Sequence, residues 1–541
     1  MKKILSLLVL LCVVGGPFES FAALSLKAFR QRPKLVVVVV IDQFRADYLT
    51  RFESRFLPAE AQSKLGGFNY LMAKSAYFPF AQYDILQSMT CPGHATIMTG
   101  SHPYLNGISL NEWYDRGEKR TMYCVEDKDF GVSPRKLIAN TVSDEMKMAG
   151  RKGKVISVAL KDRSAIMLGG HRADAAFWFA PDFRWVSSKY YFANGKVPEW
   201  VEKINVELAS QKGQSYTFKS EGKGSGMSEL AQEFSHETKI GSHESLTFPF
   251  GIKITTEMAI RALREYKLGE SRDTDFLTIS YSSHDSLGHE TSLNNREMEE
   301  MTVAEDLQIS NLINSIRSQI KANFSDVVFV LTGDHGVAPS VDYLKESKIE
   351  AEYFNPKKML EELNQKMSVK FGKIEESWVL AVRSLNFYLN LKAAATKKLS
   401  ANEIEEFVKT ELLKTPGIAF AFSKSDFMAK NLPSGQHERQ IRKTYNPLVN
   451  GDVVLIPKPF FVDTGHTSTH MTGYNYDRTV PLLILARNLK SGVYPASTEV
   501  IDLAPTLAFL LGVLPPSLSE GRVLSEAFVD SSSPCQARCA H

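Results

Sequence analysis

Seven residues able to hold a metal ion stand where apolar, β-branched runs end. Asp42 closes "LVVVVVI", Asp285 and His289 lie in "HDSLGHE" after "FLTISYSS", Asp334 and His335 follow "VVFVLTG", and His466 and His470 lie in "DTGHTSTHMTGYNYDRTVPLLIL". Carboxylates and imidazoles without a cluster of thiols suit a Zn²⁺ ion with coordination positions left open for catalysis, whereas a Cys-rich shell would mark a structural ion. Asp285 and His289 are four apart and share one face of a helical turn. Adjacent residues such as Asp334 and His335 point apart in a strand, but after Thr332-Gly333 the strand has ended and both can turn to one ion. Taken singly, a strand-end Asp reads as a helix N-cap and a His as a satisfied polar residue. Taken together, that account has to explain why every such cluster supplies one or the other.

Two further stretches carry reactive types. In "DILQSMTCPGHATIMTG", residues 84–100, a Thr before Cys-Pro places Thr90 at a helix N-terminus, as a natural N-cap with Pro in the first turn. Such an end offers unpaired N–H groups to an anion, and Gly93 is read as letting a ligand approach the backbone. In "VALKDRS", Lys161 and Arg163 are read on one side of an extended chain at a strand end, where Arg can hold two phosphate oxygens at once.

The elements that must position these residues follow from the same runs. Val/Ile/Leu stretches without polar alternation are strands buried on both faces, and helix-period stretches at 256–268 and 297–322 fall between them. The pattern predicts a three-layer α/β/α fold with a mostly parallel central sheet, whose ligands bind outside the carboxyl ends of the strands. Residues 172–250 and 340–460 break the rhythm and are expected to be insertions forming a cap over those ends, within one catalytic domain spanning 23–541.

Composition narrows the partners. The 541 residues are 43% apolar with a net charge of +3 and no long basic run, so neither nucleic acid nor an anionic membrane is implied. The N-terminal "MKKILSLLVLLCVVGGPFESFA" has the basic, apolar and small-residue regions of a secretory signal peptide cut after Ala22, and the later apolar runs are too short to span a bilayer. The mature chain is therefore expected to be exported, periplasmic or secreted. In an oxidising compartment Cys91, Cys124, Cys535 and Cys539 permit two disulfides, Cys535–Cys539 being the local pair and Cys91–Cys124 the other.

As a set, Asp42, Thr90 in "TCPGHATIMTG", Asp285-x-x-x-His289, "GDHG" at 333–336 and a late His before Tyr-x-Tyr-Asp resemble the alkaline phosphatase superfamily of two-zinc phosphotransferases, over 42–486. The resemblance implies two Zn²⁺ per chain: Asp42, Thr90, Asp334 and His335 on one, with Thr90 also the nucleophile, and Asp285, His289 and His470 on the other. His470 is preferred to His466 because it precedes Asp477 by the family's spacing, although Met471 stands where a Gly is usual. His94 is given a structural role. The nucleophile stretch lacks the Arg of the sulfatase pattern. Asn111 in "LNEWYD" would serve the phosphatase and phosphodiesterase branches alike as a phosphate contact, and the run "LKDRSAIMLGGHRADAAFWF" resembles the PafA-type bacterial alkaline phosphatases, which implies Lys161 and Arg163 as further phosphate contacts.

The expected activity is hydrolysis of small-molecule phosphate monoesters through a phosphothreonine intermediate. A phosphodiesterase or nucleotide pyrophosphatase on the same scaffold, and a secreted zinc-binding protein without turnover, are the alternatives. Two zinc ions, three aspartates and a Thr90 alkoxide make a near-neutral centre, so Lys161 and Arg163 add positive charge that favours the dianion of a monoester.

Overall fold

Val36 to Val40 carry no polar residue because strand β1 (Leu35–Ile41) is buried on both faces: Leu35, Val37, Val39 and Ile41 enter one apolar core and Val36, Val38 and Val40 another. In this computed structural model, which describes residues 32–221, 233–320, 324–432 and 434–529, β1 lies in the middle of a ten-stranded sheet. The other strands are β2 (Ala76–Gln82), β3 (Val155–Ala159), β4 (Ala175–Ala180), β5 (Arg184–Val186), β6 (Asp275–Tyr281), β7 (Val327–Gly333), β8 (Thr479–Leu485), β9 (Gly492–Val493) and β10 (Thr498–Glu499). Their order is β5-β4-β3-β6-β1-β7-β8-β2-β9, with β10 also on β2. Strands β4, β3, β6, β1 and β7 run parallel, while β5 and β8 are antiparallel to their neighbours.

The expected three layers are present. Helices α3 (Pro249–Glu265) and α5 (Arg296–Gln319) cover one face, through residues such as Met258, Ala262, Met301 and Ile309. Helices α1 (Thr90–Thr99) and α6 (Leu503–Leu511) cover the other, through Ile97, Met98, Leu503 and Leu507.

Register makes the site. Ile41 stands opposite both Tyr281 and Gly333, and Ser280 opposite Ala159, so β1, β3, β6 and β7 finish level. Neighbouring strands are about 4.8 Å apart, which brings the residues following each one into mutual reach. The antiparallel β8 begins at the same edge just after Asp477, and β2 ends there, feeding the turn that leads to Thr90.

Two insertion expectations change. Within 172–250, the aromatic stretch that opens the region forms β4 and β5, which extend the central sheet; Val201, Leu208, Phe218 and Ile240 then join the core under β1. Burial of these apolar residues organises the region. Residues 340–460 build an apolar core of their own: strands Val379–Arg383, Asn386–Leu389, Val453–Pro457 and Ile418–Ser423 form an antiparallel sheet in that order, packed by helices Pro356–Phe371 and Ala401–Leu412. The single strand-like run there is two strands, because Ser384 and Leu385 both adopt positive φ (46° and 63°), the two-residue turn whose twist matches a hairpin. This unit leans on the segment before the nucleophile: Leu86 N–H donates to Thr444 Oγ1 at 2.7 Å and Asn386 Nδ2 to Gln87 Oε1 at 3.1 Å.

Cys91 and Cys124 are disulfide-bonded. The signal peptide at 1–22 and the Cys535–Cys539 pair lie outside the described residues. Among the described residues, no helix is long and apolar enough to cross a membrane.

The C-terminal end of α1 is tied down by charge. Buried His102 lies 2.7 Å from Glu520 and 3.1 Å from Glu499, in β10. Burial works against the His102 imidazolium, but the two carboxylates outweigh it and raise the pKa; burial likewise opposes the Glu520 carboxylate, yet His102 and Tyr104 bring it down to about 2. A raised folded-state His pKa contributes stability that is complete below the unfolded value and is lost as pH rises through the folded one; the Glu520 contribution disappears only toward its own low pKa. His102→Gln is therefore expected to lower the melting temperature at pH 5.5, and the gap to wild type should narrow at pH 9. Thermal melts at the two pH values check this; a pH-independent gap would leave only a packing role.

Candidate active site

Met89 is extended and the helix begins at Thr90 itself, so Thr90 is the first helical residue and not the N-cap expected; among the described residues its hydroxyl bonds no backbone N–H. The hydroxyl is thereby spared from the backbone, and Arg163 Nη2 approaches Thr90 Oγ1 at 3.5 Å. The next helical N–H, that of Cys91, donates to Asn111 Oδ1 at 2.8 Å, and the Asn111 amide nitrogen makes no hydrogen bond among the described residues. Gly93 also differs from expectation. A Cβ there would stand 2.4 Å from the backbone oxygen of Asp334, so the glycine lets α1 pack on the end of β7 rather than admit a ligand. His94 has the structural place assigned to it, with Nδ1 2.9 Å from Thr90 O, Nε2 2.8 Å from Ser280 Oγ, and Asp334 Oδ2 at 3.1 Å.

The strand ends converge as the register requires. Helix α4 (Ser283–Glu290) follows β6 and carries Asp285 and His289 one turn apart; His289 Nε2 lies 3.3 Å from Asp285 Oδ1 and His470 Nε2 3.7 Å from the same oxygen. Beside them His335 Nε2 lies 3.3 Å from Asp42 Oδ1 and 3.6 Å from Asp334 Oδ2. Two groups could each hold an ion, Asp285 with His289 and His470, and Asp42 with Asp285 and His335. His466 is exposed, with its ring centroid 4.5 Å from that of His289, and belongs to neither group.

The imidazoles are oriented for ligation. Each engages a backbone carbonyl through Nδ1, His289 with Ser468 at 3.0 Å, His335 with Gly336 at 2.9 Å and His470 with Ser88 at 2.7 Å, which turns Nε2 toward the cluster. Asp42 Oδ1, Asp334 Oδ2 and His335 Nε2 are buried with no hydrogen-bond partner among the described residues. Buried polar atoms without partners, converging with one another, fit a bound cation.

Electrostatics describe a site that attracts cations, protons included: burial opposes the His289 and His335 imidazolium ions, but Asp285 raises the first and Asp334 and Asp42 raise the second to about 9. Burial and Asp285 push the Asp42 carboxyl up, but Lys161 and His335 prevail and hold it ionised; burial opposes Asp285 too, and Lys161 and His289 hold it well below the usual range. Burial and the neighbouring Asp42 raise Asp334. Burial, His335 and His289 keep His470 neutral, the form in which imidazole ligates.

Lys161 and Arg163 do not share one side of an extended chain. Lys161 is the extended N-cap residue of α2 (Asp162–Gly169) and Arg163 lies in the first turn, because the chain passes directly from β3 into that helix. Lys161 Nζ reaches Asp42 Oδ2 at 2.6 Å and Asp285 Oδ2 at 2.5 Å, while Arg163 reaches toward Thr90. The two cations thus divide the work: one compensates the carboxylates and the other faces the hydroxyl.

Gln43 was not legible from its type. Fully buried with φ of 67°, it gives its backbone N–H to Asp334 Oδ1 at 3.0 Å and its Nε2 to Asp285 Oδ1 at 2.8 Å. The one signal that could have found it is Gly288, a helical glycine whose Cβ would meet Gln43 Oε1 at 1.8 Å.

Residues 36–475, a span that contains every strand-end residue named above, match the family described as type I phosphodiesterase / nucleotide pyrophosphatase. The chain belongs to that family. Within its superfamily, that of alkaline phosphatase, the chain is similar to the alkaline phosphatase PafA of Elizabethkingia meningoseptica, 30% identical over 92% of this chain and 94% of the relative. The crystal structure of wild-type PafA superposes with a TM-score of 0.81 at 28% identity, covering 92% of this chain and 99% of that one. A PafA variant with one Thr-to-Ser and Asn, Lys and Arg to Ala substitutions superposes with the same score, at 27% identity over 92% and 99% of the two chains.

Ligand-positioning groups of Gln43's kind typically contribute about 10–100-fold in metal affinity. Gln43→Ala is expected to weaken binding by that order when metal is titrated into chelator-stripped protein. Unchanged affinity would assign Gln43 to packing alone.

Proposed function

We propose that this chain is an exported, zinc-dependent phosphate monoester hydrolase, an alkaline phosphatase that works through a phosphothreonine at Thr90. The observation that carries the reading is the uncapped Thr90 hydroxyl at a helix N-terminus, between Arg163 and a cluster of carboxylates and imidazoles whose unpartnered atoms fit cations. Asp285, His289 and His470 would hold one Zn²⁺, and Asp42, Thr90, Asp334 and His335 the other. Bound there, the ions would supply Lewis-acid charge that favours the ionised Thr90 oxygen and the departing ester oxygen.

The chain's own residues do the rest. Thr90 Oγ1 forms the bond to phosphorus as the ester P–O bond breaks and the alcohol departs; water then cleaves the phosphothreonine, releasing phosphate and restoring Thr90. Arg163 and the Asn111 amide hold non-bridging oxygens, and the α1 N-terminus adds its positive dipole end. The substituted Thr, Asn, Lys and Arg of the PafA variant have the same Thr-to-Asn and Lys-to-Arg spacings as Thr90 to Asn111 and Lys161 to Arg163, which supports these roles. Export rests on the signal sequence.

The family's own description favours a second reading, a phosphodiesterase or nucleotide pyrophosphatase. Charge argues for the monoester, since Lys161 and Arg163 exceed what a near-neutral two-zinc centre needs and match a dianion. Wild type is expected to hydrolyse an aryl phosphate far faster than a diaryl ester, and Lys161→Ala with Arg163→Ala should narrow that preference. A wild-type enzyme that prefers the diester would reverse the assignment.

Thr90→Ser should keep substantial activity, whereas Thr90→Ala should lose several orders of magnitude, read as kcat/KM; a near-normal Thr90→Ala rate would mean direct attack by water. Elemental analysis of active protein should find two zinc ions per chain, and a chelator should abolish turnover. Full activity with one metal or none would reject the dinuclear site.

A further inference from the structure

The disulfide, the nucleophile and the phosphate contacts belong to one closed ring of short connections. Cys91 directly follows Thr90 and is bonded to Cys124. Cys124 N–H donates to the Asn111 carbonyl at 3.0 Å, and the Asn111 side chain accepts from Cys91 N–H at 2.8 Å. Next to Cys124 stands Tyr123, the last residue of a strand pair (Glu112–Asp115 with Arg120–Tyr123) that begins just after Asn111. Its hydroxyl donates to Asp162 Oδ1 at 2.6 Å and accepts from Arg163 Nη1 at 3.2 Å, while the same Asp162 oxygen accepts the Arg163 backbone N–H at 2.7 Å.

Arg163 has few other anchors. Its Nη2 lies 3.5 Å from Thr90 Oγ1 and its Nε is buried with no hydrogen-bond partner. Among the described residues, the Tyr123 and Thr90 hydroxyls are the side-chain acceptors its guanidinium meets. A guanidinium can grip phosphate with two parallel bonds only when its plane is set in advance, because a planar fork that rotates freely must pay that ordering during the reaction. Tyr123 is the group that sets the plane, and the disulfide decides where Tyr123 stands relative to Thr90.

On the phosphomonoesterase reading, we infer that Tyr123 is a positioning residue for phosphoryl transfer: its hydroxyl aims the Arg163 guanidinium at the nucleophile, from a place fixed by the Cys91–Cys124 disulfide. Asp162 completes the arrangement by holding the phenol proton, so that the Tyr oxygen presents a lone pair to Arg163. The apolar packing of the Tyr123 ring is not required for this, which makes Tyr123→Phe the informative substitution.

A double-mutant cycle on the metal-loaded enzyme tests the inference. Tyr123→Phe is expected to lower kcat/KM for an aryl phosphate by about 10–100-fold, the order that follows from loss of alignment, and to weaken inhibition by inorganic phosphate. In an Arg163→Ala background the same substitution should change kcat/KM by less than about twofold, since the aimed group is gone. Cys91→Ala with Cys124→Ala should lower wild-type activity. An equal loss from Tyr123→Phe with and without Arg163 would make Tyr123 merely structural and overturn the inference, as would an unaltered rate with Arg163 present. A disulfide-free variant of full activity would overturn the part assigned to Cys91–Cys124. If Arg163→Ala alone leaves monoester hydrolysis unchanged, the phosphomonoesterase reading of the site fails and the inference falls with it; if Arg163→Ala is damaging and Tyr123→Phe is silent, only the inference fails.

Discussion

Three buried aspartates at the ends of three neighbouring parallel strands are the constraint on which the rest of this molecule depends. Asp42, Asp334 and Asp285 follow β1, β7 and β6, and each is shielded from solvent. Like charges at strand spacing in a low-dielectric edge repel strongly unless cations and donors compensate them. The surrounding residues serve that need: the Lys161 ammonium bridges Asp42 and Asp285, Gln43 donates to Asp285 and Asp334, and His94, His289 and His335 close the remaining sides. Asp42 Oδ1, Asp334 Oδ2 and His335 Nε2 still make no hydrogen bond among the described residues, and they are the atoms that a divalent ion would take.

The same constraint explains why the site is so fully backed by backbone. Three imidazoles bond carbonyls contributed by residues 88, 336 and 468, which lie on separate segments of the chain. The helices α1, α2 and α4 all begin at this edge, bringing positive dipole ends to it. Glycines mark where these segments press together, as at Gly93 against Asp334 and Gly288 against Gln43. The unit at 340–460 stands on the segment between β2 and Thr90, so it bears on the nucleophile's approach without contributing to the charged cluster.

Family membership leaves the choice of ester open, because fold and metal cluster serve several phosphoryl-transfer reactions alike. The distinction lies in local charge. Lys161 is engaged by two carboxylates and Arg163 by two hydroxyls, so they are not interchangeable cations in a shared patch. The aim of Arg163 in turn depends on Tyr123 and Asp162, residues whose types announce no chemistry.

Much of this was legible in the chain. Unbroken Val/Ile/Leu runs require strands covered on both sides, and polar clusters at their ends require a binding edge, so the layered fold and the positions of Asp42, Asp285, His289, Asp334 and His335 follow from local pattern and chain direction. Other features lie beyond local pattern. Whether Ala175–Ala180 joins the sheet depends on an open strand edge beside β3, and whether His470 or His466 enters the cluster depends on how a loop before β8 folds back over Ser88. The capping state of Thr90 and the separation of Lys161 from Arg163 turn on where a helix starts, a shift of one or two residues that propensity does not resolve. Gln43, Asp162 and Tyr123 matter through partners distant in sequence, and a contact between remote residues exists only once the sheet's register has brought their strand ends together.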